Sequence, residues 1–150
     1  FWFAMSSRRK GRELALQMLF QLDLVRIGVD EAIRAFWKTQ EELPSEDTRD
    51  FCEELVRGAI EHHEEIDRFV EETSSNWRLS RMPVVDRNIL RMAVYEMLYR
   101  DDIPTTVTIN EAIDVGKKFG SEDSGAFING ILDKIAEKIP SSPQRHKNDK

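Results

Sequence analysis

Cysteine is almost missing from this chain: Cys52 stands alone among 150 residues. A single thiol excludes an internal disulfide, so the core must hold the fold, and a reducing cytoplasmic setting fits. Long apolar runs are missing too. None approaches the roughly 18–20 residues that a membrane-spanning helix needs. The basic N-terminus leads into a segment that already contains Glu13 and Gln17, which is not a signal-peptide pattern. The seven glycines build no phosphate-cradling loop. Neither GxGxxG nor HExxH occurs, so neither a cofactor nor a metal is expected. Period-two alternation, which would mark strands, is not found, nor is a repeat of 20–50 residues.

What remains suits one compact domain with a real core. Hydrophobic residues make up 40% and charged residues 33%, a soluble composition rich in charge. The formal net charge of −6 hides a split. Residues 30–72 hold fifteen acids and five bases, whereas residues 78–100 hold five arginines and two acids. Arg8, Arg9, Lys10 and Arg12 crowd four cations into five positions ahead of Glu13. Screening confines charge effects to about 8–10 Å, so a local basic patch attracts a polyanion despite the negative total.

Spacings of three and four mark helices almost throughout. Leu14, Met18 and Leu22, flanked by Ala15, Leu19 and Val25, predict a first helix ended by Gly28. Asp30 is the expected cap of a second and Ser45 of a third, with acids at 46 and 47 in its first turn. A break near His62 or His63 divides the next apolar stripe. Pro83 opens a central helix with the most apolar pattern of the chain, through Ile89, Leu90, Ala93 and Met97. Thr108 and Glu111 read as a capping box. Gly120 ends that helix, and Pro140 ends the last one. The fold expected is all-α, with six or seven helices. Residues 1–7 are expected to be disordered or foreign to the domain, and residues 140–150 to be a disordered tail.

Little of this is chemistry. His62 and His63 point about 100° apart on a helix and cannot share a metal, and His63 with Asp67 makes only two ligands. Cys52 reads as core filler, Trp37 and Trp77 as packing anchors, and the acids of residues 41–72 as a solvated face. Gly130 inside a helix suggests close packing. Asn110 and Asn129 read as structural polar groups. The basic cluster is different. Cations at a helix N-terminus oppose its dipole, at about 0.3–1 kcal/mol. Either they serve solubility, or an external anion offsets the repulsion. Arginine forks suit phosphate and stack on bases, which makes RNA a fitting ligand.

The stretch INEAIDVGKKFGSEDSGAFINGILDK closely resembles the C-terminal signature of the bacterial transcription antitermination factor NusB family. RRKGRELALQMLFQLD is similar to that family's arginine-rich first helix, VVDRNILRMAVYEML to its central helix, and IPTTVTINEAI to the next helix start. The resemblance spans about residues 8–139. It implies two packed helical bundles and a protein that is not an enzyme. It implies a factor that pairs with the ribosomal protein NusE, binds single-stranded boxA RNA of nascent ribosomal RNA transcripts, and joins the RNA polymerase antitermination complex. Carried over by position, Arg8, Arg9, Lys10, Arg12, Lys117, Lys118, Asp123 and Phe127 would contact RNA. Phe20 and Asp86 would face NusE, with Asp86 partly exposed. Phe20 stands where many members have tyrosine, and Gly125 and Ala126 replace a more polar pair. Two other readings stay open: the RNA-binding domain of an RNA cytosine methyltransferase, although no cofactor-binding αβ unit is present, and a homodimeric interaction protein.

Overall fold

A computed structural model describes residues 2–74 and 78–139. Seven α-helices and one 3-10 turn build it: α1 (Trp2–Leu24), α2 (Val29–Lys38), α3 (Glu46–Glu61), α4 (His63–Thr73), the turn Leu79–Arg81, α5 (Val84–Tyr99), α6 (Thr105–Phe119) and α7 (Ser124–Lys138). No strand occurs among the described residues, so the all-α expectation holds. Trp77 and residues 140–150 lie outside them.

The apolar spacing of α1 works as anticipated. Leu14, Ala15, Met18 and Leu19 are buried, while Val25 stays exposed beyond the helix end. The helix already runs from Trp2, so residues 2–7, expected outside the domain, are helical. Gly11 lets α1 lie close on α3. A Cβ there would sit 3.0 Å from Phe51 Cδ2 and 3.3 Å from the Thr48 carbonyl oxygen. Ser45 caps α3 by accepting from the Thr48 N–H at 3.2 Å, which satisfies one of the helix's orphan donors. The break between α3 and α4 falls at His62, whose ring stacks on Tyr99 at 4.2 Å.

Three local readings are corrected. Gly28, not Asp30, precedes α2, and Asp30 instead pairs with Arg57 at 2.6 Å. The helix α6 starts at Thr105 behind Pro104, whose φ of −59° suits a helix entry. Thr108 is therefore an interior, buried residue rather than a cap. A Cβ on Gly130 would meet nothing within 4 Å, so close packing does not explain that glycine.

The helices form two groups. α1 to α3 pack together, α4 to α7 pack together, and α5 lies against members of both. Its buried residues Ile89, Leu90, Met92, Ala93, Val94 and Met97 make it the spine of the core. Burying each large aliphatic side chain contributes about 1.5–3 kcal/mol. At the α3–α5 crossing Gly58 accepts the Tyr95 ring: a Cβ would fall 2.1 Å from Tyr95 Cε1.

Candidate nucleic-acid interface

The first half of α1 meets the middle and end of α6 beside the end of α5. Arg9 donates from Nε and Nη2 to Glu111 at 3.2 and 2.7 Å, and its Nη2 lies 3.7 Å from Asp114. The Glu111 hydrogen bond raises the Arg9 pKa above its already high ordinary value. Arg8 reaches Asp102, in the turn between α5 and α6, at 2.9 Å. Lys118, in the last turn of α6, reaches Glu13 of α1 at 3.1 Å. The positions 111, 114 and 118 are spaced by three and four, so one face of α6 confronts α1.

Lys117 projects from the other side of α6's last turn toward α7. Its Cγ would lie 3.3 Å from a Cβ on Gly125. Asp123, just before α7, is exposed, and Phe127 is half-buried and packed on the core. Lys10 is exposed on α1. Arg8, Arg9 and Lys118 thus meet where α1 faces α6, with Lys10 and Lys117 their neighbours in the chain, Asp123 just before α7 and Phe127 in its first turn. Acids bound this area on the α3 side. There a cleft of about 290 Å³ is lined by Asp47, Asp50 and Glu54 together with Ser7, Arg8, Phe51 and Arg100.

Arg12 departs from the expected pattern. Expected among the cations that contact RNA, it is 3% exposed. Its Nε and Nη2 donate to Glu96 of α5 at 2.9 and 2.6 Å, and its Nη1 reaches Glu111 at 3.4 Å. The guanidinium lies 5.3 Å from the Phe51 ring centroid. Arg12 fastens α1 to α5 and α6, with its guanidinium turned into the core between them. Asp86 is corrected likewise. Expected to stay partly exposed, it is 4% exposed and accepts a hydrogen bond from Ser124 Oγ at 2.7 Å. It ties the start of α5 to the start of α7 instead of facing outward. Phe20, by contrast, is 39% exposed and open to a partner.

Sequence reasoning missed the carboxylates Glu96, Asp102, Glu111 and Asp114 that meet the basic cluster. For Arg12 a signal existed: it lies three, four and seven positions before Ala15, Leu16 and Leu19, on the buried stripe. Elsewhere chemistry is scarce. His63 Nδ1 pairs with the Ile60 carbonyl at 2.9 Å, and Asp67 holds Arg91 at 3.0 Å. No group of three His, Cys, Asp or Glu is placed to hold a metal among the described residues. Burial pushes the Cys52 thiol up to about 12, which keeps it protonated and inert. No described helix is long and apolar enough to cross a membrane.

Fold and face together define a protein that is all-helical among the described residues, with a cluster of ion-paired cations where α1 meets α6. The family model described as the NusB family matches residues 9–137. The transcription antitermination protein NusB of Anaeromyxobacter dehalogenans (strain 2CP-1) is 53% identical over 137 residues, spanning 91% of this chain and 95% of the relative. That of Myxococcus xanthus (strain DK1622) is 48% identical over 134 residues, spanning 88% and 96%. Among solved structures, T. maritima NusB superposes with a TM-score of 0.79 at 37% identity, covering 93% of this chain and 96% of that one. A chain from a crystal structure of antitermination factors NusB and NusE in complex with double-stranded RNA gives 0.80 at 27% identity, covering 89% and 98%. This chain belongs to the NusB family.

Proposed function

We propose that the chain is a transcription antitermination factor. Together with NusE it binds boxA RNA in nascent ribosomal RNA transcripts and helps RNA polymerase pass termination signals in the cytoplasm. The observation that carries this reading is that Arg9 and Lys118 bridge α1 and α6, with Arg8 beside them paired to the α5–α6 turn and the exposed Lys10 and Lys117 next to them in the chain. Arginine and lysine neutralise phosphate, and the exposed Asp123 can accept from a base edge such as cytosine N4. Phe127 offers an aromatic edge at the same helix start. The solved relative with NusE and RNA supports the choice of partners. Phe20 lies further along α1 on an exposed face, suited to an apolar contact with NusE.

One small basic area on an acidic protein makes a weak site alone. A basic partner docked beside it extends the track, and two sites on one ligand gain from effective concentration. Adding NusE is expected to lower the apparent Kd for boxA RNA by at least about tenfold, or 1.4 kcal/mol. Fluorescence anisotropy of labelled RNA, with this protein, NusE and both, measures it. No gain for the mixture would refute a cooperative complex.

A further inference from the structure

Three cations of the basic cluster are already occupied. Arg8 holds Asp102, Arg9 holds Glu111 and approaches Asp114, and Lys118 holds Glu13. These acids fall into two kinds. The Glu111 side chain is 11% exposed and also meets the buried Arg12, and Glu13 is 12% exposed; both belong to the packing between α1 and α6. Asp102 and Asp114 are open, with 53% and 56% of their side chains exposed. Among the described residues the Asp114 side chain meets Arg9 at 3.7 Å, beyond hydrogen-bond distance, and has no side-chain hydrogen bond. Asp102 is held from behind by Arg100 Nε and Nη2, both at 2.9 Å, which aims it at Arg8.

We infer that Asp102 and Asp114 are built-in competitors of RNA phosphate: Asp102 occupies Arg8, Asp114 crowds the open side of Arg9, and together they hold down the RNA affinity of the chain by itself. This rests on the RNA-binding reading above. A phosphate that docks on either guanidinium must displace a carboxylate or lie beside it. In both cases like charges crowd the site, and the open carboxylates repel the approaching backbone from farther out. Nonspecific RNA gains little, because phosphate contacts are most of what it has. A ligand that adds base contacts, or comes with NusE, overcomes the competition. The two aspartates therefore set selectivity without touching a base.

The test uses labelled single-stranded boxA RNA and an unrelated RNA of equal length at low salt. The proteins are the wild type, Asp114→Asn, the double variant Asp102→Asn/Asp114→Asn, and Glu72→Gln. Glu72 is an exposed acid on the last turn of α4, so this control alters net charge alone. Asp114→Asn is expected to tighten unrelated RNA about twofold and the double variant about fivefold, with a smaller gain for boxA RNA and none at high salt. Asp114 has only its loose contact with Arg9, so its variant remains informative even if the double variant is unstable. Binding no tighter than Glu72→Gln overturns the inference. Weaker binding also overturns it, because the acids would then orient the arginines. If the wild type binds neither RNA, with or without NusE, the functional reading falls first and this inference with it.

Discussion

Arg12 and Glu96 meet in a two-pronged ion pair, at 2.6 and 2.9 Å, with side chains only 4% and 2% exposed. Thr108 adds its hydroxyl to Glu96 at 3.2 Å. Breaking a buried pair leaves the partner's charge uncompensated, which costs more than the pair itself contributes. Arg12→Ala is expected to lose about 3–5 kcal/mol in chemical denaturation. A loss under about 1 kcal/mol would mean that the pair behaves like an exposed one.

Lys10 and Lys117 are the cations ready for phosphate. Both are exposed, and no ion pair joins either one among the described residues. Lys10→Ala and Lys117→Ala should each lower the salt slope of RNA binding by about 0.7 and leave the melting temperature unchanged. Slopes equal to the wild type in both variants would remove them from the RNA track.

Asp86 and Phe20 were paired as partner contacts, and they now predict opposite behaviour. Asp86→Lys puts a cation against Ser124 at a site 4% exposed. It should lower stability by about 3 kcal/mol or more, so loss of NusE binding by this variant would report misfolding. Phe20→Ser alters an exposed ring. It should weaken NusE binding in a pull-down while the melting temperature holds. A Phe20→Ser protein that captures NusE normally would exclude this face.

Two glycines differ in sign. Gly58→Ala drives a methyl into the Tyr95 ring, held at α3–α5 by its hydroxyl bond to Glu54 at 2.9 Å. The cost expected is about 1–3 kcal/mol. Gly130→Ala meets open space within α7 and should gain about 0.5–1 kcal/mol from helix propensity. Thermal melts of the two variants decide it, and a stabilised Gly58→Ala would contradict the packing described.

Asp102 supplies a pH dependence. The Arg100 hydrogen bond and charge hold its carboxyl down to about 2, against the opposing effect of partial burial. A depressed carboxylate stabilises the folded state above its ordinary value near 4, and that contribution fades as pH falls toward about 2. The wild type should therefore outlast Asp102→Asn near pH 5, and the gap in melting temperature should shrink as the pH approaches 2. A gap independent of pH would place the effect elsewhere.

The helices and most of their ends were legible because local rules decide them. Ser45, Gly120 and the apolar stripes needed no distant partner. Thr108 misled because Pro104 four residues earlier had already set the helix entry. Charges misled more. Arg12, Asp86 and Glu96 look like surface groups by residue type, but each sits on its helix's apolar stripe, with partners 84 and 38 positions away for the first two. Periodicity places a residue on the buried face and does not name the opposite charge that awaits it. The cations proposed to face RNA were visible from the cluster, and the family resemblance pointed to Lys117, Lys118, Asp123 and Phe127. The carboxylates that occupy the cations come from turns and helices far along the chain, where no local pattern marks them.

The long span between Arg12 and its partners also matters on the ribosome. Glu96 lies 84 residues downstream, and Glu111 lies 102 downstream of Arg9. At about 5–20 residues per second, the N-terminal arginines wait roughly 4–17 seconds before Glu96 is made. Through that interval the nascent chain carries uncovered positive charge beside ribosomal RNA. Synthesis of α5 and α6 is thus the event that covers these arginines, and a chain halted before residue 96 would keep its basic N-terminal segment uncovered. Truncation would harm such a protein twice, by removing the core's spine and by leaving its arginines free to bind any RNA nearby.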